Sequence, residues 1–265
     1  MLELQNICKT FNAGTINEKK ALIDLSLHLE PGDFVTVIGG NGAGKSSMLN
    51  AVAGLWPVDS GKIILDGQDV TALPEHKRAK FIGRVFQDPM MGTAPNMQLE
   101  ENLALAKRRG RKRGLSWGVT NAEREEYMTL LSGLGLGLED RMTAKVGLLS
   151  GGQRQAVTLL MASMQRPKLL LLDEHTAALD PTTAAKVLEL SDRIISENRL
   201  TALMITHNMS DAIRHGNRLI MMDQGRIIFD ISGDEKKKLT KHDLMDKFAQ
   251  IAGKQIESDA TLLEK

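Results

Sequence analysis

Residues 39–46, "GGNGAGKS", constrain the chain more than any other stretch, because they fit G-x-x-x-x-G-K-[ST] at every position. They lie between an apolar run, "DFVTVI" (33–38), and a segment in which Met48, Leu49, Val52 and Leu55 recur at helical spacing. A strand, a glycine loop and a helix in that order make a phosphate cradle. Glycine permits backbone turns that aim several N–H groups at one anion, and the helix N-terminus adds partial positive charge. Lys45 is expected to reach the β- and γ-phosphates of a nucleoside triphosphate, and the Ser46 hydroxyl to ligate Mg²⁺. Gly39, Asn41, Gly42, Ala43, Gly44 and Ser47 complete the expected binding loop.

A second segment supplies matching acids. "LLLLDE" (169–174) reads as a buried strand ending in Asp173 and Glu174. Alone, such a pair is an ordinary solvated strand end. Beside a phosphate loop, Asp173 can hold the Mg²⁺ shell and Glu174 can polarise an attacking water.

Around these motifs the chain alternates between β and α patterning. In "LSLHLE" Leu25, Leu27 and Leu29 alternate with polar residues, as in a half-buried strand, and "GKIILDGQDV" (61–70) reads as a strand and an Asp-Gly turn. From about Asp88 to Met164 helical periodicity predominates. "KLLLLDE" and "TALMITH" then read as buried parallel-type strands around a helix, for which Asp180 suits the N-cap and Pro181 the first position. "NRLIMMDQGRIIFDI" predicts a hairpin, and Leu244, Met245, Phe248 and Ile251 suggest a short amphipathic helix in the polar tail. The expected fold is an α/β core interrupted by a helical insertion.

Composition narrows the partners. A net charge of +1 argues against a dedicated nucleic-acid binder. The single cysteine, Cys8, excludes an internal disulfide and is expected to be a buried structural thiol. No apolar stretch approaches the roughly 20 residues of a spanning helix, so the chain reads as soluble, with membrane contact made through a partner.

"VGLLSGGQRQAV" (146–157) is a second glycine-rich segment, with a serine but no lysine. Together with the phosphate loop, "LLLLDEHTAALD" and "ITHNM", its "LLSGGQRQ" resembles the ATP-binding cassette of ABC transporters over roughly residues 1–230. The resemblance implies a phosphate-loop NTPase core with a mixed sheet, an N-terminal antiparallel β part and an inserted helical subdomain. The corresponding boundaries are 1–87 and 166–232 for the core, 88–165 for the insertion and 233–265 for a tail. It also implies why two glycine segments are needed. Two copies of the chain associate head to tail, and Ser150, Gly151, Gly152 and Gln153 of one close over the ATP held by the other. Gln87 in "VFQDP" corresponds to the glutamine that senses Mg²⁺ and the attacking water, and His207 to the switch histidine at the γ-phosphate. Asp180 resembles an aspartate that communicates across the dimer, although an N-cap alone would explain it. Phe11 stands where an aromatic ring stacks on adenine, although a phenylalanine near a strand end is often core. His175 stands where relatives often carry proline, and reads as structural.

The implied partners are a second copy of the chain, two transmembrane permease subunits and an extracytoplasmic substrate-binding protein, with the chain peripheral on the cytoplasmic face of the membrane. A nearer resemblance, in "GTAPNMQLEENLALAKRRGRKRGLSWGVT" and "LLMASMQRPKLLLLDEHTAALDP", is to bacterial cassettes of tryptophan/tyrosine-type importers. An exporter cassette would share the chemistry, and a soluble ABC ATPase acting on ribosomes or DNA is a further alternative. The basic run Lys107 to Arg113 reads either as a solvated loop or as a contact with anionic headgroups or an acidic partner. Met90, Met91, Met221 and Met222 read as core filler or groove packing.

Overall fold

The computed structural model describes residues 1–110, 118–247 and 249–250. Alternation in the first thirty residues builds one sheet. β1 (Leu2–Phe11) pairs antiparallel with β2 (Lys19–Leu29) on one side and β4 (Ser60–Leu65) on the other. The Asp66-Gly67 turn leads into the short β5 (Gln68–Asp69), giving the order β2-β1-β4-β5.

The second sheet has the order β10-β9-β3-β8-β7-β6. Its strands are β3 (Phe34–Gly39), β6 (Ile82–Val85), β7 (Leu169–Asp173), β8 (Ala202–Ile205), β9 (Arg218–Asp223) and β10 (Arg226–Ser232). All neighbours run parallel except β10, which returns antiparallel along β9 as the predicted hairpin. The apolar run in β7 is explained by burial on both faces. Leu169 and Leu171 enter the core shared with the first sheet, and Leu170 and Leu172 enter the core on the opposite face.

Helix α1 (Lys45–Ala53) follows the phosphate loop and buries Met48, Leu49 and Val52 between the two sheets. It stops two residues before Leu55, which is 47% exposed rather than on the buried face that its spacing predicts. Arg78, in α2 (Glu75–Arg78), is 2% exposed and donates to the carbonyls of Ala51, Val52, Thr71 and Leu73 at 2.8–2.9 Å. Two of those carbonyls belong to the last turn of α1, where backbone donors run short and Ala51 has besides Arg78 the Gly54 N–H at 3.1 Å. Arg78→Met is therefore expected to lower unfolding free energy by about 3 kcal/mol, since it orphans several buried acceptors at once. Urea denaturation measures this, and a loss below about 1 kcal/mol would contradict it.

Between β6 and β7 lie α3 (Leu99–Lys107), α4 (Asn121–Ser132) and α5 (Gly151–Ser163), which gather their own core around Leu103, Tyr127, Leu131 and Val157. Helix α6 (Pro181–Asn198) covers the second sheet with Leu188 and Ile194, and α7 (Met209–Arg214) and α8 (Gly233–Lys238) follow. Residues 241–247 are helical; Leu244 is buried beside Leu219 and Met221, whereas Met245 is exposed. Phe248 and Ile251 lie outside the described residues. Met221 and Met222 are core, and Met90 and Met91 are exposed.

Two expectations are corrected in detail. Cys8 is half-buried, and its Sγ accepts a 3.3 Å hydrogen bond from the Asp24 N–H. Lys107, Arg108 and Arg109 do not form a free loop: Lys107 pairs with Glu126, Arg108 donates two bonds to Glu123, and Arg109 donates to the Ala162 carbonyl. Arg111, Lys112 and Arg113 lie outside the described residues.

Candidate nucleotide site

Strands β3, β8 and β7 are adjacent and parallel, with Val37 opposite Ile205 and Ile205 opposite Asp173. This register brings the glycine loop, His207 and the Asp173-Glu174 pair to one edge, at the carboxyl ends of the strands where α/β sheets hold ligands. A cleft of about 160 Å³ opens there. Asn41 to Ser47 form one wall, Glu174 and His207 face them, and Lys19 and Ala21 of β2 close a third side.

The loop's shape depends on Gly44, the N-cap of α1, which has φ of 100°. A Cβ there would also lie 2.6 Å from the Ala21 carbonyl, so only glycine fits. Among the described residues no side chain caps this helix and no acid occupies its first turn, which leaves its N–H groups for an anion. Lys45 is 5% exposed and donates to the Gly39 and Gly40 carbonyls at 2.8 and 2.9 Å. Burial pulls its pKa down, and the negative charges of Glu174 and Asp173 oppose that pull.

At the end of β7, Asp173 accepts a 3.1 Å bond from Arg84 Nη2, which also donates to Asn50 Oδ1 at 2.7 Å. The sequence reading missed Arg84 and Asn50. Their signal was slight, an arginine within the short run "IGRVF" and an asparagine on a helix. Glu174 adopts φ of 47°, a left-handed conformation that costs a non-glycine residue on the order of 1 kcal/mol. That turn lifts its carboxylate off the strand axis, where His207 Nε2 meets Glu174 Oε1 at 2.5 Å. Glu174 is largely buried, and His207 is half exposed toward the cleft.

His175 points the other way, into the protein. It is buried with Nε2 3.0 Å from Ser191 Oγ, and burial, with a smaller effect from His215, pushes its pKa down to about 4. Its folded pKa thus lies below the ordinary value near 6.5, so the unfolded chain binds more protons between these two values. Stability is complete above about pH 6.5 and falls as pH drops toward 4, by up to about 3 kcal/mol from this residue. Urea midpoints at pH 7 and 4.5 should converge in His175→Phe relative to wild type; an unchanged difference would contradict a buried neutral imidazole.

Ser150, Gly151, Gly152 and Gln153 are not at this cleft. Ser150 is the N-cap of α5, its Oγ accepts from the Gln153 N–H, and Gln153 Oε1 accepts from the Ser150 N–H. Ser150, Gly152 and Gln153 instead line a separate groove of about 560 Å³ against α6. A Cβ on Gly152 would collide with the Thr183 methyl, so the helix start sits tightly on α6. Asp180 caps α6 by accepting from the Thr183 N–H at 3.1 Å, the N-cap that the sequence predicts. Gln87 is exposed just after β6 and does not line the phosphate-loop cleft. Phe11 also stands apart from it, half-buried at the end of β1, edge-on to Trp56 at 4.9 Å. One chain therefore keeps its two glycine segments in different clefts.

Fold and site together define a phosphate-loop α/β protein built to hold a nucleotide at the carboxyl ends of β3, β7 and β8. More particularly, the chain belongs to the ABC transporter family, whose model matches residues 22–177, and it is an ATP-binding cassette of that family. It is 44% identical over 252 residues to the tyrosine transport ATP-binding protein of Clostridioides difficile, covering 94% of this chain and 98% of that one. It is 32% identical to the phosphonates import ATP-binding protein PhnC of Lactococcus lactis subsp. cremoris, over 90% of this chain and 96% of that protein. A dimeric ATP-binding cassette bound to ADP and Pi superposes with a TM-score of 0.74 at 29% identity, covering 88% of this chain and 98% of the other. The mixed α/β fold with its antiparallel N-terminal sheet is that of these cassettes. Among the described residues no helix is long and apolar enough to cross a membrane.

Proposed function

We propose that the chain powers import of an amino acid of the tyrosine type, as the peripheral ATPase subunit on the cytoplasmic face of a membrane transporter. Two copies act beneath two permease subunits that receive solute from an extracytoplasmic binding protein. The observation that carries this reading is the full-length similarity to a tyrosine transport ATP-binding protein, joined to a complete phosphate-loop cleft with an acid and a histidine facing it. The stretch 88–165 acts as the helical subdomain that meets the permease, with 1–87 and 166–232 as the core.

The proposed chemistry follows from the residues at the cleft. ATP lies along the loop from Phe11 at the base end to Lys45 at the β- and γ-phosphates. Asn41, Gly42, Ala43, Gly44, Ser46 and Ser47 supply backbone and hydroxyl donors, and Gly39 anchors the lysine through its carbonyl. The donor set suits Mg²⁺: one hydroxyl, Ser46, and one strand-end carboxylate, Asp173, leave room for phosphate oxygens and water, as this cation requires. Ser46 and Asp173, with Gln87, would hold it, and when bound it neutralises charge on the transferred phosphoryl group. Glu174 accepts the proton of the attacking water, and His207 positions Glu174 and the γ-phosphate. Ser150, Gly151 and Gly152 of the second copy donate to the γ-phosphate at the start of their helix, and Asp180 relays closure across the pair.

A strain lacking this chain is expected to lose tyrosine uptake, recover it with the wild-type gene and fail to recover it with Glu174→Gln. Unimpaired uptake in the deletion strain would refute the assigned solute.

A further inference from the structure

We propose that Lys19 is a second cationic contact for the nucleotide, holding the α-phosphate between the base end and the phosphate loop. The inference rests on the nucleotide reading of the cleft and adds to it a residue outside the glycine motif.

Lys19 opens β2, and its direct partner in the register is Phe11, the last residue of β1. Cross-strand partners share a face and place their Cβ atoms about 5 Å apart, so a base resting on the Phe11 ring would lie beside the lysine stem. Along β2, Lys19 and Ala21 both line the phosphate-loop cleft whereas Lys20 does not, which is the period-two alternation of a strand. The ammonium reaches the loop itself. Lys19 Nζ is 3.4 Å from the point that a Cβ on Gly42 would occupy.

The charge is also uncommitted. Lys9 of the neighbouring strand is held by Asp59 at 3.0 Å, but among the described residues no carboxylate pairs with Lys19. Lys45, in contrast, is buried against loop carbonyls at the far end of the cleft. An extended nucleotide running from Phe11 to Lys45 must carry its sugar and α-phosphate past Lys19. The only anionic group on that part of the ligand is the α-phosphate, and an exposed ammonium over an open loop glycine is matched to it.

Calorimetric titration of the purified full chain with ATP and with ADP, at low and moderate salt, tests this in wild type, Lys19→Gln, Lys19→Arg, Lys20→Gln and Lys45→Ala. Lys19→Gln should weaken ATP and ADP alike by roughly fivefold to tenfold, with a shallower dependence on salt. Lys19→Arg should recover affinity to within about twofold of wild type, and Lys20→Gln should bind as wild type does. Unligated melting temperatures of the Lys19 variants should match wild type, because the side chain is exposed. Unchanged affinities in Lys19→Gln would overturn the proposal. A loss for ATP alone would also overturn it, since that would place the ammonium on the γ-phosphate. A loss that keeps the wild-type salt slope and is not recovered by arginine would do the same. A wild-type chain that binds neither nucleotide would sink the nucleotide reading itself. Binding lost in Lys45→Ala but intact in Lys19→Gln would sink only the role of Lys19.

Discussion

Glu174→Gln should hydrolyse ATP at least a hundredfold more slowly than wild type while still binding it. A positioned general base contributes on the order of 10²- to 10⁴-fold, and glutamine keeps the size and hydrogen-bonding shape of glutamate while losing its basicity. The local geometry favours a clean result. The Glu174 N–H donates to the Ile205 carbonyl at 3.2 Å, and its backbone already holds a left-handed turn, so neither depends on the carboxylate charge. His207 retains an amide oxygen to meet. Phosphate-release assays at saturating Mg-ATP, beside calorimetric binding, separate turnover from affinity. Hydrolysis within tenfold of wild type would move the base to another residue.

Lys45→Ala should lose hydrolysis by a comparable factor for a different reason. The ammonium does two things in this structure: it ties the Gly39 and Gly40 carbonyls together, and it offsets the paired negative charges of Asp173 and Glu174. Alanine removes the ammonium from both carbonyls, leaving Gly40 its 3.3 Å bond from the Ala43 N–H, and leaves the phosphate end of the cleft without the buried charge that offsets the carboxylates. ATP affinity is expected to fall roughly tenfold or more, and turnover by about 10²-fold or more, because donors fixed in place act on charge in a largely desolvated site. Lys45→Arg should not restore activity, since a planar fork cannot replace a compact point charge seated on two carbonyls. Binding and turnover both near wild type in Lys45→Ala would show that the loop's backbone alone carries phosphate recognition.

Much of this arrangement was legible in the sequence because local pattern and tertiary need coincide there. The apolar β7 run, the Asp66-Gly67 turn, the β9–β10 hairpin and the Asp180-Pro181 helix start are all written in residues within a few positions of one another. The two glycine segments were legible for the same reason. What stayed hidden depends on partners far away in the chain. Arg84 has meaning only because β6 lies beside β7 and brings it to Asp173, 89 residues later. Arg78 looks like a surface residue of a short basic segment until the end of α1 is packed over it. Lys107 and Arg108 read as part of a free basic run, yet α4 supplies Glu126 and Glu123 opposite them. Leu55 matched the helical period, but α1 ends at Gly54 in a left-handed cap before that turn is made. Lys19 reads as one of two adjacent lysines, and only strand alternation separates the one facing the cleft from the one facing away.

The central claim is that one nucleotide needs the phosphate loop of one chain and the "LSGGQ" helix start of another. Size-exclusion chromatography with light scattering on Glu174→Gln, with and without Mg-ATP, tests it most directly. Glu174→Gln should be a monomer without nucleotide and a dimer with Mg-ATP, with no dimer when Ser150 is also replaced by phenylalanine, whose bulk would obstruct the approaching phosphate. A chain that binds Mg-ATP yet remains monomeric, or a dimer indifferent to Ser150→Phe, would contradict it.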